Sequence, residues 1–376
     1  MKKTIAILTA GGDCPGINAV IRAVAKTAMN DFDLEVVGIE DGFLGLIENR
    51  WRRLSNSEVS GIITLGGTIL GTSNKADPFR FPWKSQDEFI DVSDRALENF
   101  DRIGASALIA IGGDGTLKIS DRLAQKGMPI VGIPKTIDND VDCTDYTFGF
   151  DSAVATATEA IDKLHTTAQS HHRVMMVEVM GRYAGWLALH SGVAGGGDVI
   201  LIPEIQFDTG LVCDVLLDRS RRGKRFSIVV VAEGAKTETG ALVVSRYVND
   251  STDSIRLGGI GEILGDQIET RTKLETRVTV LGHLQRGGTP TAFDRVLATR
   301  FGSEAVKQAA AGNFGVVVAL KRQDIVPVAL RDAIAELKLV PPGHPLVKTA
   351  LSVGTSFGVD PKKAGLDMCV PQTNHA

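Results

Sequence analysis

Short apolar runs alternate with longer amphipathic ones along most of the chain. Thr4–Ala10, Leu34–Ile39, Ala107–Ile111 and Pro129–Ile133 are almost wholly apolar. That is the length and content of strands buried on both faces of a parallel sheet. Val174–Met180, Asp198–Pro203, Phe226–Ala232, Arg277–Leu281 and Gly315–Leu320 are further β-branched runs. Between these runs the period changes. Ile17, Val20, Ile21 and Val24 recur at helical spacing with Arg22 and Lys26 opposite, Leu117–Gln125 reads as a helix, and Asp151–His165 reads as a strong amphipathic one. Pro15 suits a first helical position and Asp13 a cap, so the first helix is expected from about Pro15. Pro78–Asp87 is polar and aromatic without a clear period and reads as a surface excursion. Strand and helix alternating in this way predict an α/β fold with largely parallel sheets, in two layered domains with the site between them.

The polar loops after the apolar runs carry the candidate chemistry. In open α/β sheets, ligands bind beyond the carboxyl ends of the strands. Gly112-Gly113-Asp114-Gly115-Thr116 offers backbone N–H groups with few side chains in the way, and the helix that follows points its positive end at them. A carboxylate there repels phosphate unless a divalent cation intervenes, so Asp114 reads as a Mg²⁺ ligand, direct or through water. Thr136-Ile137-Asp138-Asn139-Asp140 adds two carboxylates, one of them a candidate base for a hydroxyl nucleophile. The alternative for the first loop is a plain strand-to-helix turn, and for the second an ordinary Asp-rich loop. Gly11-Gly12-Asp13 and Gly66–Asn74 are two more glycine-rich loops. Downstream, Arg173, Arg182, Arg277, Arg286 and His283 stand at strand ends, with Glu233 after Ile228–Ala232. A lone Arg is most simply a surface ion pair. Four with a His suit a phosphate monoester, and a Glu with a His can hold sugar hydroxyls.

Composition narrows the setting. The chain has 376 residues, enough for two domains, and 43% hydrophobic with 23% charged residues is the balance of a soluble globular protein. A net charge of −4 argues against a nucleic-acid surface, so the basic run Arg219–Arg225 reads as a solvated helix end or an anion site. Four scattered cysteines, Cys14, Cys143, Cys213 and Cys369, form no Cys-x-x-Cys pair and suit reduced thiols. The apolar run after Lys2-Lys3 is too short for a signal peptide, and no stretch approaches a membrane span. A cytoplasmic protein with no membrane or nucleic-acid partner is expected.

The Gly-Gly-Asp loop, the Thr-Ile-Asp-Asn-Asp loop, Met180-Gly181-Arg182, Glu233 and Gly282-His283-Leu284-Gln285-Arg286-Gly287-Gly288 follow one another in an order that resembles the phosphofructokinase family. The resemblance runs from Ile5 to about Gly312. It implies that Gly12, Asn74, Lys75, Gly113, Asp114, Gly115 and Thr116 contact ATP, with Mg²⁺ on Asp114. Asp138 would take the proton from the C1 hydroxyl of fructose 6-phosphate, and Lys75 and Arg182 would offset charge on the moving phosphoryl. Thr136, Ile137, Met180, Gly181, Arg182 and Glu233 would contact the sugar. Arg173, Arg277, His283 and Arg286 would bind its 6-phosphate, with Arg173 and Arg277 reaching across from a neighbouring subunit of a homotetramer or homodimer. The division expected is 1–149 with about 285–335 for the donor, and 150–284 with about 336–376 for the sugar phosphate.

Three positions depart from the best-known bacterial members. Asn74, followed by Lys75, stands where those enzymes carry an ATP-contacting Arg. Lys135 replaces a Gly before Thr136. His165 replaces an Arg that helps bind an allosteric nucleotide, although Arg22, Lys26, Arg222 and Lys224 keep other positive positions. Lys135 with Gly115 resembles the mixed-substrate branch, which includes ATP and pyrophosphate users. The reading is an ATP-dependent 6-phosphofructokinase. Its rivals are a pyrophosphate-dependent enzyme with the same acceptor, and a non-catalytic regulatory subunit or sugar-phosphate sensor, which would have no need of Asp138 and Asp114.

Overall fold

A computed structural model describes residues 2–83, 85–238, 240, 244–247, 255–362 and 364–366. Cys369 lies outside them. The chain forms two compact units. Among the described residues, those within Met1–Ala153, Tyr247–Ile255 and Arg286–Lys338 make the first, and those within Val154–Arg246, Arg256–Gln285 and Leu339–Ala376 make the second.

The first unit is built on an eight-stranded sheet. Its main path runs Asp324–Ala329, Val316–Lys321, Ile130–Thr136, Ala105–Gly112, Thr4–Thr9, Glu35–Ile39, Trp51–Arg53, and Phe148–Gly149 pairs beside Ile130–Thr136. The inner pairings are parallel and the two end pairings antiparallel. Thr4–Thr9 and Ala105–Gly112 are neighbours whose onward connections leave in opposite directions. Such a reversal opens a crevice at the strand carboxyl ends, and Gly11–Gly16 and Gly112–Asp114 emerge there. The sheet's apolar strands are fully buried, among them Ile5, Ile7, Leu8, Leu108, Ile109 and Val131.

Several expected boundaries move. The first helix spans Ile17–Phe32, so Pro15 stands outside it and Asp13 does not cap it. Gly16 holds the cap position instead at φ 105, where a Cβ would lie 2.9 Å from the Phe148 ring. Pro78–Asp87 is not featureless: Phe81–Trp83 and Ser85–Ile90 pair as an antiparallel hairpin. The helix expected over Asp151–His165 continues to His171. Its last turns are polar, with Thr166 and Ser170 hydroxyls donating back to Lys163 and Thr166 carbonyls, so no apolar period marks them.

Two helix starts meet in the first unit. Asp294, in the first turn of Ala292–Ala310, is fully buried, and its Oδ2 accepts from the Ser152 amide at 2.8 Å and hydroxyl at 2.6 Å. Its Oδ1 is buried without a hydrogen-bond partner. Burial pushes its pKa from 3.8 up to about 6, against the lowering by Ser152. An acid raised in the folded state gains a proton on folding between those values, so its contribution to stability falls as pH rises through that window. Asp294→Asn should remove that fall, making the slope of melting temperature against pH more positive between pH 4 and 6, measured by calorimetry. An unchanged slope would mean Asp294 is not the titrating group.

The second unit has a four-stranded parallel sheet in the order Val199–Leu201, Ser227–Ala232, Val174–Val179, Thr276–Val280. Its core joins Val174, Met176, Leu201, Phe207, Val229 and Val231 to Leu264 and Ile268 of the helix Ile260–Thr272.

Candidate active site

In the first unit two glycine loops are tied together. The Gly11 amide donates to Ser73 O at 3.1 Å, and the Thr72 hydroxyl donates to Gly11 O at 2.7 Å. Exposed Asn74 and Lys75 are thereby held beside the Gly11–Gly12 turn. A Cβ on Gly12 would lie 2.5 Å from Arg286 Nη1, which donates to Asp13 O at 3.0 Å, so Arg286 lies against this loop.

The helix expected from Leu117 begins three residues earlier, at Asp114, with extended Gly113 before it. Asp114, Gly115 and Thr116 therefore form a first helical turn whose amides have no intrahelical acceptor, the usual anion-binding arrangement. Asp114 Oδ2 accepts from Lys118 Nζ at 2.8 Å. Both side chains are partly exposed, and such a pair separates at little cost. A Cβ on Gly113 would meet Lys135 O at 3.2 Å, so this turn packs against the second loop, whereas a Cβ on Gly115 would meet nothing within 4 Å.

That second loop is rigidly held. The Asp138 amide donates to Thr136 Oγ1 at 3.0 Å, and the Thr147 hydroxyl donates to Thr136 O at 2.8 Å. Asn139 takes a left-handed φ of 51°, and its Oδ1 accepts from the Thr147 amide at 3.1 Å. Lys135 is buried, and its Nζ donates to Gly12 O. Burial lowers its pKa, while Asp13 and Asp140 act the other way. Asp140 has a carboxyl pKa raised well above the ordinary range, by burial first, then by the charge of Asp138, with Asp114 adding to it. Its Oδ1 is buried without a partner. The charges of Asp138 and Asp114 thus both reach Asp140, although the three carboxylates do not converge closely enough to cage a metal ion.

In the second unit the named residues fall into two groups. Met180, Gly181 and Arg182 follow the strand Val174–Val179, and Glu233 follows the neighbouring Ser227–Ala232. The Glu233 amide donates to Val179 O at 2.9 Å and the Gly234 amide to Gly181 O at 3.1 Å, which joins the two strand ends. The Arg182 guanidinium lies 5.1 Å from the Tyr183 ring centroid. Exposed His283 sits in a short 3₁₀ turn, Gly282–Arg286, after Thr276–Val280, at this same end of the sheet. Buried Gln285 joins it by accepting from the Met180 amide at 3.3 Å, a tie that nothing near either residue in sequence announces.

Arg173 and Arg277 are at the opposite end, where these strands begin. Both meet Glu275, Arg173 at 2.8 Å and Arg277 at 2.5 Å. Of the four groups expected to bind a phosphate, the fold therefore pairs Arg173 with Arg277 and holds both away from His283. Nothing in the sequence marks the carboxylate between them, because Glu275 looks like any polar residue before a strand.

A parallel sheet whose switch point carries a helix turn with open amides beside a carboxylate loop suits phosphoryl transfer. Residues 4–309 match the family model Phosphofructokinase, and the chain belongs to that family. It is 50% identical over 359 residues to the ATP-dependent 6-phosphofructokinase 2 of Clostridium perfringens, covering 94% of this chain and 98% of that one. It is 52% identical over 339 residues to the pyrophosphate–fructose 6-phosphate 1-phosphotransferase of Streptomyces coelicolor, covering 90% and 96%. Among solved structures, Pichia pastoris phosphofructokinase in the T-state superposes with a TM-score of 0.76 at 34% identity. That match covers 89% of this chain and 38% of the yeast one, so this chain spans well under half of its length. Relatives named for two donors are equally similar, so the donor must be read from particular residues.

Proposed function

We propose that this phosphofructokinase transfers the γ-phosphoryl group of ATP to O1 of fructose 6-phosphate. The observation that carries the reading is the packing of the Asp114 helix turn against the Lys135–Asp140 loop. It sets donor-binding amides beside a candidate base. Gly12, Asn74, Lys75 and the amides of Gly113–Thr116 hold the donor. Asp138 accepts the proton of the C1 hydroxyl, and the Thr136 hydroxyl orients the Asp138 amide. Thr136, Ile137, Met180, Gly181, Arg182 and Glu233 hold the sugar, while Lys75 and Arg182 offset charge on the moving phosphoryl.

Among the described residues no cluster of three His, Cys, Asp or Glu side chains is arranged to cage a metal. Mg²⁺ is commonly held by one or two carboxylates plus phosphate oxygens and water. Asp114 would hold it, and the ion would neutralise donor phosphate charge.

His283 and Arg286 bind the 6-phosphate in this reading, and Arg173 and Arg277 are lent to a neighbouring subunit's site in a homotetramer or homodimer. Mixing Arg173→Ala with Asp138→Asn subunits should then recover activity that neither shows alone. No recovery, with subunit exchange verified by mass, would count against sharing. Cytoplasmic residence suits the buried free thiols of Cys14, Cys143 and Cys213, and no described helix is long and apolar enough to cross a membrane.

Pyrophosphate as donor is the second reading, and Lys135 favours it. A coupled assay for fructose 1,6-bisphosphate, with ATP and pyrophosphate offered separately, decides. Faster turnover with pyrophosphate at equal concentration would overturn the donor, and none with either would overturn the reaction.

A further inference from the structure

Lys338 lies beyond the stretch that matches the family model and far in sequence from every loop described above. Its ammonium nevertheless donates to three uncharged acceptors of the reactive loop: Asn139 Oδ1 at 3.0 Å, Thr144 O at 2.9 Å and Asp145 O at 2.8 Å. Its backbone amide donates to Asp140 O at 2.9 Å, and Leu337 bridges Val141. A lysine has three N–H donors and no acceptor, so all three are matched by groups that only a cation or a multiple donor can satisfy together. The acceptors stand on both limbs of the loop. Asn139 and Asp140 leave the Asp138 side, and Thr144 and Asp145 return toward the sheet, where Asp145 N donates to Leu320 O at 2.9 Å and Leu320 N to Thr144 Oγ1 at 2.9 Å.

We propose that Lys338 is a positioning residue for phosphoryl transfer, closing the 139–145 loop so that Asp138 is presented to the acceptor hydroxyl at a fixed place. Asp138 is followed immediately by the two residues Lys338 grips. Asn139 takes a left-handed conformation, which Asn tolerates better than most residues, so it is the contacts of its Oδ1, with the Lys338 ammonium and the Thr147 amide, that fix its place. Releasing its Oδ1 from the ammonium leaves the Thr147 amide as its main tie. The side chain is half-buried, and burial lowers its pKa to about 8 despite the opposing charges of Asp145, Asp140 and Asp142. The ammonium form therefore predominates at neutral pH.

The inference rests on Asp138 as the base, and the test separates the two. Lys338→Met keeps the apolar stem and removes the donors. It should lower kcat ~5-fold, less than the 10²-fold that a full ångström of misplacement brings, with KM for fructose 6-phosphate within about twofold. Lys338→Arg, which keeps charge and donors, should restore most of the loss. In an Asp138→Asn background, Lys338→Met should lower the residual rate no further, because there is no longer a base to misplace. Full kcat in Lys338→Met, an equal loss in both backgrounds, or insolubility of both Lys338→Met and Lys338→Gln would overturn the proposal. If Asp138→Asn itself keeps near wild-type kcat, it is the assignment of the base that fails.

Discussion

Asp138→Asn is expected to lower kcat by about 10²–10⁴-fold, the usual weight of general-base catalysis. The amide has the shape of the carboxylate, and the bond from the Asp138 amide to Thr136 Oγ1 does not involve the side chain. Loop geometry should survive, and titration calorimetry should find fructose 6-phosphate affinity little changed. A second readout is linked to the first. The charge of Asp138 is one of the causes that raise Asp140, so removing it should let the Asp140 pKa fall back toward the ordinary carboxylate range, although burial keeps it elevated. That shift can be followed by NMR of the labelled carboxyl carbon. Near wild-type kcat would remove Asp138 from its role; an unmoved Asp140 would mean that the two carboxylates do not share a field.

The framework of this site was legible in sequence because its strands are buried on both faces. Ala107–Ile111 and Pro129–Ile133 fall within the observed Ala105–Gly112 and, but for Pro129, Ile130–Thr136, and the glycine loops that follow them are local features. Elements with one wet face were less legible. Trp51–Arg53 is short and mostly exposed, and Asp324–Ala329 has no fully buried position and contains Pro327. Hydrophobic patterning does not reach such edge strands. Partners such as Glu275, Gln285 and Lys338 were not legible either. Each is a polar residue whose meaning depends on a neighbour brought near by folding, and no spacing rule covers that.

Gly115→Asp should depress ATP use by at least ~1.4 kcal/mol in transition-state terms, a factor of ten in kcat/KM. Gly115 follows the residue read as the metal ligand, in the turn whose amides are proposed to hold the donor. ATP needs room beyond its β-phosphate for an α-phosphate and a nucleoside, whereas pyrophosphate needs none. An Asp there would crowd the α-phosphate and repel it. The fold itself should not object. A Cβ at this position meets nothing within 4 Å, and an acidic residue in a helix's first turn is favourable. A loss of ATP activity in Gly115→Asp with an unchanged melting temperature would thus be a loss of donor fit. Lys135 is untouched, so the variant is also where gained pyrophosphate use should be sought. Unimpaired kcat/KM for ATP would show that the donor's α-phosphate does not pass this position.

The first unit is interrupted in sequence by most of the second, and that has a consequence for synthesis. Ile130–Thr136 takes its outer parallel neighbour from Val316–Lys321, and the loop leading from it is clasped by Lys338. A ribosome delivers the chain from the N-terminus, at about 5–20 residues per second. Until the late strand emerges, that flank of the growing sheet offers unpaired backbone groups in an apolar setting, the situation in which nascent chains pair wrongly. The strand that carries the reactive loop is therefore among the last to be closed in, so a chain stalled or clipped before Val316 would hold nearly every residue assigned to catalysis and still lack a finished site.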